Sequence, residues 1–210
     1  ENQVTLAVIR HGETQANKEH RYLGKTDEPL NKNGMEALLS YQKRKLYPVV
    51  DCLFTSPMKR CIETAGVLYP KLCPVVIPEW EEMDFGQFEY KNYEELKEDA
   101  RYQAWIDSGG ILAFPEGESR ENFILRCKEG LLRMCGELRK MTELETSVPL
   151  RVGMVVHGGT VMALLSSYSK KSYFDYQVSN GRGYLCRMEN WYGETKSDKN
   201  NLQIEVVREI

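Results

Sequence analysis

Two short runs set a histidine beside glycine at the end of an apolar stretch. Arg10-His11-Gly12-Glu13-Thr14 follows Thr5–Ile9, and His157-Gly158-Gly159-Thr160 follows a stretch ending Val155-Val156. A third run, Ser56-Pro57-Met58-Lys59-Arg60, follows Val49–Thr55. The guanidinium forks of Arg10 and Arg60 match the geometry of a phosphate, and the glycines let backbone N–H groups approach a ligand closely. One histidine can then serve as a nucleophile, splitting a hard displacement into two easier ones through a phosphohistidine. The other can donate hydrogen bonds to the equatorial oxygens. A leaving alkoxide still needs a proton. Glu82, in Glu81-Glu82-Met83-Asp84-Phe85-Gly86 after the Cys73–Ile77 run, is placed to supply it.

These residues are far apart in sequence, so a fold must gather them. Apolar runs of strand length recur at Thr5–Ile9, Val49–Thr55, Cys73–Ile77, Val152–Val156, Tyr184–Met188 and Leu202–Val207. Helical periodicity lies between them, over Asn33–Leu46, Lys59–Leu68, Glu121–Leu138 and, after the glycine pair, Val161–Leu165. Strands alternating with helices predict an α/β sheet, mostly parallel, with helices on both faces. The last two runs, separated by the polar stretch Glu189 to Asn201, read as a hairpin or edge pair. In such sheets ligands sit beyond the carboxyl ends of the strands, where helix N-termini point. With no repeat and no linker, residues 1–210 read as one domain.

The totals exclude several classes. A net charge of −3 argues against a binder of nucleic acid or of anionic membranes. No stretch approaches about 18 consecutive apolar residues, so no membrane span is expected. Glu1 to Leu6 lacks the basic and apolar regions of a secretory leader, and a first residue other than Met suggests a trimmed or replaced start. Six cysteines without a C-x-x-C pair read as free thiols in a cytoplasmic protein. A metal site of His11, His157 and Glu82 would set a cation beside Arg10 and Arg60, which is electrostatically poor. Gly24-Lys25-Thr26 ends like a P-loop, but Glu19 stands where that motif needs glycine. No G-x-S-x-G elbow is present.

Taken together, the motifs resemble the histidine phosphatase superfamily, the phosphoglycerate mutase-like group. The likeness rests on Arg10 to Thr14 with Asn17, on Tyr22 to Leu30 with Gly34, and on Ser56-Pro57 with Arg60 and Thr64. Glu82 to Gly86 and His157-Gly158-Gly159 complete it, in the family's order. The resemblance implies a phosphomonoester hydrolase with His11 as the phosphorylated nucleophile. Arg10, Arg60 and His157 would form the phosphate pocket, Asn17 and the Gly158 amide would assist, and Thr14 and Gly24 would join the substrate-binding side. Glu82 would be the proton donor and later the base for water, preferred over Glu81 and Asp84 by its spacing to Gly86. No metal or cofactor is implied, and the partner is a small-molecule phosphate ester.

Within the family, the acid motif and the Gly24-Lys25-Thr26-Asp27 segment look like the α-ribazole phosphatase and broad-specificity branch. That implies α-ribazole 5′-phosphate, in assembly of the cobalamin nucleotide loop, as one substrate reading. The alternatives are a broad-specificity phosphatase, a mutase-like phosphotransferase and a module that only binds phosphorylated ligands. Relatives that are mutases are longer, so the chain length favours hydrolysis over transfer. Phe88-Glu89-Tyr90, where relatives often have Trp-Glu-Gly, is expected to alter the substrate mouth. Gly117-Glu118-Ser119 matches a family element whose role the sequence leaves open. Tyr90, Tyr93, Tyr102 and Trp105 are candidates for a cleft wall, although packing is the expected role for at least two of them. His20 is expected at the surface or the pocket rim.

Overall fold

Strand β1 (Val4–Arg10) is apolar on both sides and is buried on both: Leu6 and Val8 face one way, Ala7 and Ile9 the other, none more than 1% exposed. The computed structural model describes residues 3–144, 150–192 and 201–210. It places β1 inside a six-stranded sheet of order β3-β2-β4-β1-β5-β6. The other strands are β2 (Cys52–Thr55), β3 (Val75–Val76), β4 (Arg151–Val156), β5 (Gly183–Glu189) and β6 (Gln203–Glu209). The pairs β1/β4, β2/β4 and β2/β3 are parallel, while β5 runs antiparallel to both β1 and β6. This is the α/β sheet expected from the alternation of strand and helix. The connection expected between the last two runs falls partly on residues 193–200, which lie outside the described residues.

Among the described residues, seven α-helices accompany the sheet: α1 (Gln15–Lys18), α2 (Lys32–Lys43), α3 (Lys59–Leu68), α4 (Tyr93–Leu96), α5 (Ala100–Asp107), α6 (Arg120–Leu144) and α7 (Gly158–Tyr168). On one face Leu6, Val8, Met154 and Val156 pack with Phe123, Leu131 and Met134 of α6 and Val161 and Leu164 of α7. On the other, Ala7 and Ile9 meet Leu38 of α2, while Leu53 and Val155 meet Cys61 and Ala65 of α3. Helix α3 matches the periodicity end to end. Helix α2 stops at Lys43 rather than Leu46, because Lys45 takes a left-handed φ of 57° that ends the ladder. Strand β3 shrinks to two residues, since Pro74 and Pro78 flank it and cannot donate to a sheet.

Register, more than composition, prepares the site. Arg10 pairs with Val156 and Thr55 with Val155, so β1, β4 and β2 end level with one another. The residues that follow (His11, His157 and Ser56) therefore emerge side by side.

Helix α6 contains two interior glycines with opposite surroundings. A Cβ on Gly136 would meet nothing nearer than Arg139 Nη2 at 3.8 Å, whereas one on Gly130 would strike Nε1 and Cδ1 of the buried Trp80. Alanine is favoured over glycine in a helix interior by about 1 kcal/mol. Gly136→Ala should therefore raise the urea midpoint, while Gly130→Ala should lower it through overpacking of about 1–3 kcal/mol. Equal effects of the two substitutions on equilibrium unfolding would contradict this packing.

Candidate active site

His11 is the first residue after β1 and is 3% exposed. Its Nδ1 lies 2.7 Å from the Gly12 carbonyl oxygen, which can only accept, so Nδ1 carries the proton and Nε2 keeps its lone pair. Burial, then the charges of Arg60 and Arg10, hold the ring's pKa well below the ordinary value near 6.5. The ring is thus neutral and nucleophilic at Nε2. Gly12 is fixed in turn, its N–H donating to Thr64 Oγ at 3.0 Å.

His157 occupies the N-cap position of α7 and is fully buried. Its ring stands edge-on to that of His11, with centroids 5.2 Å apart. Nε2 pairs with Ser56 Oγ at 2.7 Å, which fixes the ring orientation. Burial, Arg60 and then His11 lower its pKa as well.

The two arginines hold their forks to backbone carbonyls rather than to carboxylates. Arg60, fully buried, donates from Nη1 to Thr26 O and from Nη2 to Gly24 O, each at 2.9 Å. Arg10 donates from Nη1 to Val178 O at 2.7 Å. The Nε–H groups of both are buried, and neither has a partner among the described residues. Two orphaned cationic donors beside two neutral histidines make a site that attracts an anion. Gly158 opens α7 against Arg10, and a Cβ there would lie 3.3 Å from Arg10 Nε. The side chain that glycine lacks would crowd the donor.

Glu82 is half-buried at the same place. Its Oε1 accepts from Met83 N at 2.8 Å and its Oε2 from Gly159 N at 3.3 Å. Burial pushes its carboxyl above the usual carboxylate range, against the opposing pull of the Met83 amide and of Arg60. Its two rivals are elsewhere: Glu81 is exposed, and Asp84 pairs with Lys25 at 2.6 Å. His11, His157, Arg10, Arg60, Glu82 and Gly158 are therefore brought together.

Three other candidates take different places. Asn17 borders the group, with Oδ1 accepting from Thr14 N and Asn180 Nδ2, so its own Nδ2 is the group it can offer a ligand. Thr14 is fully buried as the N-cap of α1, its hydroxyl accepting from Asn17 N; it supports Asn17 and does not face the cleft. Gly24 is likewise a brace. Its N–H donates to Glu89 and its carbonyl holds Arg60, while a Cβ would strike Met83 O.

The Phe88-Glu89-Tyr90 run also serves this brace and does not line the cleft mouth. Phe88 is buried in the core, Glu89 receives the Gly24 and Thr26 amides, and the Tyr90 hydroxyl donates to Glu28. Tyr90 adopts a φ of 61°, the left-handed conformation that glycine takes without strain. Asn180 carried no sequence signal, yet its amide donates to the carbonyls of His11 and Gly12. Ser56 stood inside a motif, but only the register reveals it as the partner of His157. His20 is exposed, as expected, and its backbone N–H donates to Asn17 O.

From Arg10, Glu82 and Gly158 a cleft of about 630 Å³ leads outward between Tyr22, Phe85, Trp105, Phe114 and Phe174. Of the four aromatics singled out from sequence, only Trp105 lines it. Tyr102 packs beneath at 4% exposure, and Tyr93 is exposed. Among the described residues no group of three or more His, Cys, Asp or Glu could hold a metal ion, and no helix is long and apolar enough to cross a membrane. All six cysteines are free.

Paired strand-end histidines, a buried and a half-buried arginine and one raised carboxyl make a candidate phosphate-ester site on a mixed α/β sheet of the phosphoglycerate mutase-like kind. The chain belongs to the histidine phosphatase superfamily (branch 1), whose family model matches residues 6–196. It is 34% identical to the adenosylcobalamin/alpha-ribazole phosphatase of Escherichia coli over an alignment covering 61% of this chain and 66% of that protein. It is 26% identical to a Cronobacter sakazakii protein named probable phosphoglycerate mutase GpmB, over 97% of each chain. The structure of the alpha-ribazole phosphatase from Shigella flexneri superposes with a TM-score of 0.73 at 24% identity, covering 97% of this chain and 94% of that one. The match with the GpmB protein corrects the argument from length: a relative carrying a mutase name aligns along the whole chain, so size does not separate the two activities.

Neutral buried histidines have a consequence for stability. Below pH 6.5 the unfolded chain protonates both rings while the folded chain does not, so stability falls as pH falls. The slope is about 1.4 kcal/mol per pH unit for each ring. Glu82, with its pKa raised, contributes with the opposite sign. Urea midpoints measured from pH 7.5 to 5.5 should therefore drop more steeply for the native chain than for a His11→Asn/His157→Asn variant. Identical slopes would mean that the rings are charged in the fold.

Proposed function

We propose that this chain hydrolyses phosphate monoesters through a phosphohistidine on His11, with Glu82 as proton donor. The observation that carries this is the His11 Nδ1–Gly12 bond, which leaves the Nε2 lone pair free on a ring that feels the charges of Arg60 and Arg10, whose Nε–H groups have no partner among the described residues. Phosphate oxygens bound by Arg10, Arg60, His157, Asn17 and the Gly158 amide would present phosphorus to that lone pair. Nε2 forms the P–N bond as the P–O bond to the alcohol breaks, and the Glu82 proton passes to the leaving oxygen. The Gly12 carbonyl, already accepting from Nδ1, stabilises the positive ring of the intermediate. Water, giving a proton to Glu82, then attacks phosphorus. The P–N bond breaks, inorganic phosphate leaves, and both residues return to their starting states. A carboxyl whose pKa is raised by burial suits a group that must begin protonated.

The finer reading we propose is α-ribazole 5′-phosphate as substrate, in assembly of the cobalamin nucleotide loop. It is supported by the name of the 34% identical relative and by a cleft whose outer wall is aromatic, which suits a planar base. The likeness to the GpmB protein supports transfer as the second reading.

Quenching the enzyme during turnover of labelled substrate should trap acid-labile, base-stable phosphate in the native chain and none in His11→Ala. Equal trapping would remove His11 from the mechanism. Glu82→Gln should slow alkyl phosphates by about 10²-fold or more, but p-nitrophenyl phosphate only slightly, because a good leaving group needs little protonation. Equal losses on the two would take Glu82 out of the acid role. In a panel of α-ribazole phosphate, phosphoglycerates, sugar phosphates and nucleotides, the first should give the highest kcat/KM. Isomerisation of a phosphoglycerate primed by a bisphosphate, exceeding its hydrolysis, would favour the transferase instead.

A further inference from the structure

Gly117-Glu118-Ser119, whose role the sequence left open, lies directly behind the loop that carries Glu82. Glu118 N donates to Asp84 O at 2.9 Å, and Asp84 N returns a bond to Glu118 Oε2 at 3.3 Å. Facing them from α6 is Arg126, whose Nε and Nη2 meet Glu118 Oε1 and Oε2 at 3.0 and 2.8 Å, a two-pronged pair. Its Nη1 donates to Glu79 O and Glu81 O, both at 2.9 Å, and Nη2 donates to Glu82 O at 3.3 Å. A guanidinium has five N–H groups, and each is used here. Three of the five bonds end on the acid loop's own backbone and the other two on the carboxylate that anchors its far side. The guanidinium also stacks 5.1 Å above the Phe123 ring. The same ring also borders Gly159, where a Cβ would lie 3.0 Å away and whose N–H holds Glu82.

We propose that Arg126, locked by Glu118, is the positioning residue for Glu82, acting by gripping the backbone on both sides of it. The inference rests on the reading of Glu82 as proton donor. Arg126 meets main-chain oxygens and Glu118, and it acts on the reaction chiefly through the place it gives the Glu82 carboxyl. Without the grip, that carboxyl is held by two amides alone, and one of them, Met83 N, belongs to the same loop. Lysine cannot substitute, because a single ammonium offers three donors from one point and cannot span residues 79, 81, 82 and 118.

The test compares Arg126→Lys, Glu118→Gln and Glu82→Gln on β-glycerophosphate and p-nitrophenyl phosphate. Arg126→Lys should lower kcat on the alkyl ester about 10- to 100-fold, part of what a general acid supplies. It should leave KM within about threefold and cost less than about fivefold on p-nitrophenyl phosphate. Glu118→Gln should show the same pattern to a smaller degree, and it decides by the same criterion if Arg126→Lys does not fold. Added to Glu82→Gln, the Arg126→Lys change should cost little more on the alkyl ester. Equal losses on both esters, or none, while Glu82→Gln keeps its leaving-group dependence, would overturn the positioning role alone. Equal losses in Glu82→Gln itself would overturn the proton-donor reading and this inference with it.

Discussion

Everything chemical in this molecule depends on a parallel register. With Arg10 opposite Val156 and Thr55 opposite Val155, three strands from distant parts of the chain end at one level. The bond from His11 N to Val156 O carries the ladder one residue past β1, and that from Ser56 N to Val155 O does the same past β2. A slip of one residue would turn His11 to the opposite face and remove it from His157. The apolar alternation of β1, buried on both sides, resists such a slip, so core packing and site geometry are one constraint.

On that level edge the site solves an electrostatic problem. The Arg60 guanidinium is withdrawn from water and that of Arg10 partly so, and among the described residues no carboxylate is bound directly to either. Carbonyl oxygens of Leu23, Gly24, Thr26 and Val178 solvate their forks instead. Carbonyls offer dipoles without neutralising the charge, so the positive potential remains available and adds to the burial that keeps both histidines neutral. The same potential acts to lower the pKa of Glu82, yet burial outweighs it and the carboxyl is shifted upward. The loops that supply the carbonyls need support of their own. Glu89 gives it to Gly24 and Thr26, and Asn180 ties His11, Gly12 and Asn17 together.

How far the sequence can be read differs by element, for physical reasons. Helix α3 was legible because its apolar spacing matches the face it buries and its start coincides with the end of β2. Strand β3 was overdrawn, because apolar content does not reveal that two prolines cut the ladder. Thr14 and Gly24 lie beside the chemistry in sequence, so a motif cannot tell a contact from a brace. Thr14 spends its hydroxyl on the α1 cap, and Gly24 is small because Met83 O sits where its side chain would be. Asn180 could not be found at all, since its role exists only where β5's approach meets the loop after β1.

Residue chemistry by itself pointed to the histidine phosphatase superfamily. Histidine and arginine at strand ends, glycine beside them and one glutamate in a defined motif are choices of functional group, and functional groups are written in sequence. A net charge of −3 hid that, because totals average over the surface while the site collects Arg10 and Arg60 in one crevice. Tertiary structure alone decided protonation and orientation: which His11 nitrogen keeps its lone pair, that both rings stay neutral and that Glu82 is raised. Those properties arise from burial and from a folded arrangement in which even the local His11 Nδ1–Gly12 O bond depends on distant partners. Thr64, 52 residues away, fixes Gly12, Ser56, 101 residues away, orients His157, and Val178, 168 residues away, holds Arg10. Desolvation and distance are properties of the folded arrangement, and no local spacing encodes them.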